Sequence, residues 1–173
     1  GVVRSFPQER CVLGAVLPYL RGLGARWATD GYRVIGQQHF ASARLRGRLL
    51  GLAREWGTGY GPMALLACLP GDQHDLGLIC FGLALRTKGW RITFLGPNTP
   101  LATVAETAIL LRPAIVVLSA TIPPDPAVVG DNLAAITAVA PLALAGAGAT
   151  ESAAIAAGAR LLPENPFVAA QAI

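Results

Sequence analysis

From Met63 onward the chain repeats one rhythm, and that rhythm confines the fold more tightly than any single residue. Short apolar runs at Met63 to Leu69, Arg91 to Leu95, Ala114 to Ser119, Leu142 to Ala145 and Ala159 to Leu162 read as strands. Between them the pattern predicts helices at about 76–88, 101–111, 126–140 and 150–157, with another at the C-terminus. The run Ala114-Ile115-Val116-Val117-Leu118-Ser119 is continuous and rich in β-branched residues, which suits a strand buried on both faces. Strands that alternate with helices build a parallel sheet with helices on both sides. The expected fold class is α/β, a flavodoxin-like or Rossmann-like five-stranded parallel sheet with right-handed crossovers.

The first sixty residues lack this rhythm. Val12, Leu13, Val16, Leu17, Leu20 and Leu23 recur three and four apart, the period of one helix face, with Pro18 expected to kink that helix. Asp30-Gly31 marks a turn. A second helix is predicted from about Arg33 to Trp56, with Gln38, Ser42, Leu45, Leu49 and Leu52 on one stripe. Gly57-Thr58-Gly59-Tyr60-Gly61-Pro62 has linker composition. The chain therefore divides into a helical part, 1–60, and an α/β domain, 61–173.

Composition excludes several classes. With 53% apolar and 14% charged residues the chain is not disordered, a state that needs the opposite balance. No unbroken apolar run approaches the roughly 18 residues of a spanning helix, because Thr137, Pro141 and Gly146 interrupt the most apolar stretch. A soluble protein is expected. Cys11, Cys68 and Cys80 are odd in number and far apart, which fits buried thiols in a reducing, cytoplasmic setting. The net charge of +4 includes Arg44, Arg46, Arg48 and Arg54 within eleven residues. A solvated helix face explains them better than nucleic acid, because no interleaved aromatics or DNA-reading motif accompany the charge. The chain opens on Gly1 with no signal-peptide pattern, as a fragment of a longer protein would.

Ligands of such sheets bind beyond the carboxyl ends of the strands, so the loops at 70–77, 96–100, 119–124 and 146–150 are the candidates. The loop after the first strand reads Gly71-Asp72-Gln73-His74-Asp75-Leu76-Gly77. It matches neither a Walker phosphate loop nor a dinucleotide fingerprint. It does offer an imidazole with a carboxylate two residues earlier. Such a carboxylate orients the ring and raises its basicity as a metal ligand. The plain alternative is a helix start capped by Asp72 or Asp75, with His74 incidental. A lone His does not make a zinc site, which needs three or four ligands.

Asp72-x-His74-x-x-Gly77, Ser119-x-Thr121 and Gly146-x-Gly148, falling in order on successive loops, resemble the cobalamin-binding domain. The resemblance implies that His74 ligates cobalt after displacing the vitamin's own base, with Asp72 supporting it. It further implies that Gly77, Ser119, Thr121, Gly146 and Gly148 line the slot for the displaced nucleotide tail. One departure is Ala147, which adds a methyl group between the two glycines. Upstream, the segment from Val12 to Leu20, then Gly24-Ala25-Arg26-Trp27, then Gln38-His39-Phe40-Ala41-Ser42 is similar to the helical cap of CarH- and LitR-type light-sensing regulators. The resemblance places Trp27, Gln38 and His39 over the upper face of cobalt, around the adenosyl group of adenosylcobalamin. Here Gln38 stands where the family has Glu, Ala28 stands where some sensors carry a second His, and the spacing from Trp27 to Gln38 is one residue longer. Only a partial helical-bundle cap is recognisable, so an interface with another chain or domain is expected on its apolar face.

The resemblance implies a photoreceptor domain that senses light through cobalamin and changes conformation or oligomeric state, lacking the family's DNA-binding domain of the MerR type. Alternatives are a corrinoid carrier for methyl transfer, the cobalamin subunit of a radical isomerase, and a partner-binding module without a cofactor. No nucleophile sits beside a base and no carboxylates pair on neighbouring strand ends. The chain is not expected to be an enzyme, to enter a membrane, or to bind nucleic acid alone.

Overall fold

A computed structural model of the chain describes residues 32–124 and 133–173, with the side chains of 32–39 excepted. The chain forms two compact units, Gly1–Leu52 and Ala53–Ile173. In the first unit, helix α1 spans Tyr32–Leu52, so it stops ahead of the predicted end at Trp56. Trp56 leaves the helix in a turn closed by its N–H on the Ala53 carbonyl (3.1 Å). Its ring then joins the core of the second unit, edge-on to Phe94 with ring centroids 5.5 Å apart. On α1 the Arg44 guanidinium lies over the Phe40 ring, and Arg44 and Arg48 are exposed, as a solvated face requires.

The second unit follows the expected rhythm. Strands β1 (Met63–Cys68), β2 (Arg91–Gly96), β3 (Ile115–Ser119), β4 (Leu142–Ala145) and β5 (Arg160–Leu161) alternate with helices α2 (Leu76–Thr87), α3 (Leu101–Leu111), α4 (Glu151–Ala156) and α5 (Pro166–Gln171). Residues 133–137 are also helical. The predicted helix at 126–140 falls partly outside the described residues. The C-terminal helix expected without bounds is α5: Asn165 caps the amides of Phe167 and Val168, and Pro166 occupies the first turn, where a missing N–H costs nothing.

The five strands form one sheet in the order β2-β1-β3-β4-β5, every pair parallel. This is the flavodoxin-like order. The run expected to be buried on both faces is so: all five residues of β3 are buried. Side chains of a strand alternate between faces. Leu65, Ala67, Val116, Leu118, Leu142 and Leu144 meet Leu101, Val104 and Ala108 of α3, Leu133 and Ile136, and Ala154 of α4. Each such Leu, Ile or Val, fully buried, contributes about 1.5–3 kcal/mol. On the opposite side Leu66 reaches α2 at Gly82, where an added Cβ would lie 3.1 Å from Leu66 Cδ1 and 2.9 Å from Trp56 Cη2.

Register decides what stands at the carboxyl edge. Cys68 pairs with Ser119 and Ser119 with Ala145, so the loops leaving β1, β3 and β4 start side by side. From β1 the chain crosses to β2 on one side, whereas β3 lies on the other. The loops after β1 and β3 thus diverge at a switch point, the place where such sheets open a crevice.

Candidate functional site

The loop after β1 turns back at once. The Asp72 N–H donates to the Leu69 carbonyl at 3.0 Å, and Gly71 takes φ +84°, a left-handed conformation that favours glycine. Asp72 is nine-tenths buried or more, at 5% exposure, beside a His74 side chain that is 56% exposed. One carboxylate oxygen accepts from the His74 backbone N–H (2.9 Å) and lies 2.9 Å from His74 Nδ1. The other accepts from the Thr121 N–H at 2.5 Å. The Thr121 hydroxyl donates to the same carboxylate at 2.5–2.6 Å. Thr121 stands on the loop after β3, so one acid ties the loops after β1 and β3 together.

These contacts determine the charge of Asp72. Burial by itself pushes its pKa up. Bonds from the Thr121 hydroxyl, the His74 amide, the Thr121 amide and the His74 ring outweigh burial and hold the carboxyl below its ordinary value of 3.8. An ionised Asp72 accepts only, so the His74 Nδ1 facing it carries the proton. That leaves the lone pair on Nε2, in an exposed ring, as the free ligand position. The helix-start alternative fares less well. Asp75 occupies the N-cap position of α2 but makes no side-chain cap bond there, and Asp72 is committed to His74 and Thr121.

Gly77 lies in the first turn of α2 with nothing within 4 Å of the position a Cβ would take. It opens space beside the His74 loop. The glycines after β4 answer a different demand. A Cβ on Gly146, itself at φ +95°, would approach the Ala120 carbonyl oxygen too closely. On Gly148 it would collide with the backbone of Ile122. Both let the β4 loop lie against the β3 loop, tied by the Gly148 N–H on the Ala120 carbonyl at 2.8 Å. Ala147 between them is exposed. Ser119, buried at the strand end, has its Oγ 3.2 Å from the same Gly146 position. The structure thus brings Asp72, His74, Thr121, Ser119, Gly146 and Gly148 to one edge. Trp27 lies outside the described residues; so do the side chains of Gln38 and His39, whose backbone belongs to α1.

Asn98 was not singled out from sequence, although it lies on a loop of interest. Its Oδ1 accepts from the Gly71 N–H at 2.7 Å, and its own N–H donates to the Asp72 carbonyl at 2.8 Å. An Asn between two prolines in Gly96-Pro97-Asn98-Thr99-Pro100 was the available signal, since Asn tolerates left-handed backbone better than most residues.

A family model for the B12 binding domain matches residues 62–160, from the start of β1 to the edge of β5. The chain belongs to the B12-binding domain family. It is a cobalamin-binding chain, and its relatives are regulators. It is 37% identical over 142 residues to the HTH-type transcriptional repressor CarA of Myxococcus xanthus, a match covering 80% of this chain and 47% of CarA. With the HTH-type transcriptional repressor CarH of the same organism it shares 32% identity over 118 residues, 68% of this chain and 39% of CarH. The matches span less than half the length of either repressor. Among solved structures, a cobalamin-binding protein from Desulfitobacterium hafniense DCB-2 superposes with a TM-score of 0.55 at 20% identity, over 87% of this chain and 74% of that one. The monomethylamine corrinoid protein of Methanosarcina barkeri gives 0.53 at 21%, over 64% and 55%. At such identities the likeness is one of fold. The resemblance to the cobalamin-binding domain drawn from the loop motifs is borne out, as are the one to CarH- and LitR-type regulators drawn from the upstream segments and the parallel five-stranded sheet.

The candidate site passes a chemical test of fit for such a cofactor. Among the described residues no three His, Cys, Asp or Glu side chains gather into a metal-binding group, so a bare ion has no cage here. One exposed imidazole backed by a buried carboxylate suits instead a metal whose equatorial positions a macrocycle already fills, as a proximal His serves haem. Cys68 and Cys80 are buried and form no disulfide. Burial pushes the Cys80 thiol up to about 12, which leaves it protonated and a poor ligand. Among the described residues no helix is long and apolar enough to cross a membrane.

Proposed function

We propose that this chain is the light-sensing part of a cobalamin-dependent regulator, and that it takes adenosylcobalamin with the lower nucleotide base detached and His74 in its place on cobalt. The observation that carries this reading is the Asp72–His74 pair, 2.9 Å apart, whose buried acid leaves Nε2 as the free ligand position. When bound, adenosylcobalamin supplies a cobalt–carbon bond that light can break. The protein supplies binding, orientation and electrostatics.

His74 holds the cofactor from below. Asp72 sets its tautomer, and Thr121 sets Asp72. Gly77 opens space for the corrin side, and Ser119, Gly146 and Gly148 border the slot assigned to the nucleotide tail. Thr121, first assigned to that slot, has its hydroxyl on Asp72 and contributes there through the acid. Trp27, Gln38 and His39 are assigned to the upper ligand. Loss of that ligand removes contacts from one side of the domain and biases a two-state element, either a homo-oligomer or a joined output domain. In this reading the chain is not an enzyme, works in the cytoplasm, and leaves DNA contact to a separate domain, as the HTH-type repressors it resembles suggest. That similarity favours a sensor over a corrinoid carrier or an isomerase subunit.

The test is an absorption spectrum of the chain with adenosylcobalamin, dark and after green light, for wild type and His74→Ala. A His-ligated spectrum that light alters irreversibly, absent in the variant, supports the sensor. Cobalamin bound with no response to light assigns the chain to a carrier. A His74→Ala spectrum identical to wild type removes His74 from cobalt.

A further inference from the structure

Asp72 is gripped twice, by different loops and at different atoms. Its carboxylate belongs to Thr121 and His74, as described above. Its backbone belongs to the loop after β2, through the Asn98 N–H on the Asp72 carbonyl (2.8 Å). The residue before it is held from the same place, because the Gly71 N–H donates to Asn98 Oδ1 at 2.7 Å. The Thr99 N–H on the Cys68 carbonyl (3.2 Å) extends the seam to the end of β1. The two loops are therefore stitched by three bonds, two of which run through Asn98.

Both bonds depend on what Asn98 is. Its φ of +47° lies in the left-handed region, where Asn is several-fold enriched over most residues. That conformation aims its N–H at Asp72 while the short side chain reaches Gly71. Gly71 offers a donor there, so the carboxamide oxygen must face it and the NH2 group must point away. A residue without Oδ1 orphans the Gly71 amide, and a residue with a Cβ but no local hydrogen bond resists the left-handed backbone. Thr99, next in the chain, is buried and bonds the Gly96 carbonyl through its hydroxyl at 3.1 Å, so the loop that presents Asn98 is itself anchored to the end of β2.

We propose that Asn98 is a positioning residue for the cobalt ligand: it fixes Gly71 and Asp72 so that the carboxylate meets His74 Nδ1 before cobalamin arrives. This rests on the reading of His74 as that ligand. The consequence is preorganisation. A loop ordered in the apo chain spends none of the binding free energy on ordering itself, and a fractionally ordered loop lowers apparent affinity by that fraction.

Three variants separate the contributions. Asn98→Asp keeps both the oxygen and the tolerance of φ > 0. Asn98→Gly keeps only the backbone, and Asn98→Ala keeps neither. Amide hydrogen exchange on the chain without cofactor reads the loop directly, with Leu65 and Val117 in the sheet as controls for folding. Protection of the Gly71 amide is expected to fall about tenfold in the Gly variant and further in Ala, while Asp stays near wild type and the sheet amides are unchanged. Titration with adenosylcobalamin should then show affinity near wild type in the Asp variant, about tenfold weaker in Gly and weaker again in Ala, with a fraction of bound cofactor lacking the His-ligated spectrum that grows in the same order. A merely structural role would lower sheet protection and leave the ligation spectrum of bound cofactor intact, and that result overturns the proposal. Gly71 protection, affinity and spectrum at the wild-type level in both the Gly and Ala variants overturn it too, with the His74 reading untouched. A wild-type chain with no His74-dependent spectrum overturns both readings at their common root.

Discussion

Asp72→Asn replaces one atom and should cost more than its size suggests, because every group facing Asp72 is a donor. The His74 N–H and Nδ1 approach one oxygen, the Thr121 N–H the other, and the Thr121 hydroxyl both. A carboxamide has one oxygen. If that oxygen faces His74, the NH2 group confronts the Thr121 N–H, which has nothing to accept with. Turned over, it confronts the His74 N–H. Either way one backbone donor is left unpaired and a charge-assisted acceptor is lost, at about 1–3 kcal/mol for each effect. The expected loss is about 3 kcal/mol, which for a domain of this size lowers the melting midpoint by roughly 10 °C. Urea unfolding followed by circular dichroism measures it. The pH dependence gives a second, signed check. The folded pKa of Asp72 lies below its ordinary value of 3.8, so ionised Asp72 stabilises fully above the unfolded pKa, and that contribution is lost as pH falls through the lower folded pKa. The Asn variant should show a flatter decline over that window. A variant as stable as wild type within about 0.5 kcal/mol, with the same acid profile, would refute the account of a carboxylate serving two loops.

Other outcomes follow from the same contacts. Gly77→Val places a side chain in space with nothing within 4 Å, so its melting midpoint should stay within a few degrees of wild type while cobalamin binding, read by absorption, weakens at least about tenfold if the corrin side approaches there. Gly148→Ala forces a Cβ onto the Ile122 backbone and should destabilise by about 2 kcal/mol or more in denaturant titration. Cys80, its thiol pushed up to about 12 by burial, should resist alkylation at pH 8 in the folded chain and react on unfolding, as peptide mapping by mass spectrometry would show.

Much of this molecule can be read from local order along the chain, and the physical reason differs from element to element. The strand at Ile115–Ser119 was legible because a run of β-branched and apolar residues admits few states other than a doubly buried strand. The start of α5 carried a local signal that went unread, because Asn165 and Pro166 act within one turn. Asp72 and His74 were legible as a pair because a single residue, Gln73, separates them. The end of α1 was not. The stripe on the helix continues to Trp56, and only the presence of Phe94 and Gly82 beside that indole draws it out of the helix and into the core.

The site divides along the same line. Sequence alone determined the type of sheet, the loops at its carboxyl edge, and the imidazole with its acid, since each depends on neighbours within a few residues. Tertiary structure alone decided who holds that acid. Thr121 and Asn98 reach Asp72 from loops that parallel pairing sets on either side of β1. The glycines at 146 and 148 are required by the backbone of Ala120 and Ile122, which no periodicity places near them. Hydrogen bonds and close approaches between distant segments are set by strand order and register, and these are settled only when the whole sheet has formed.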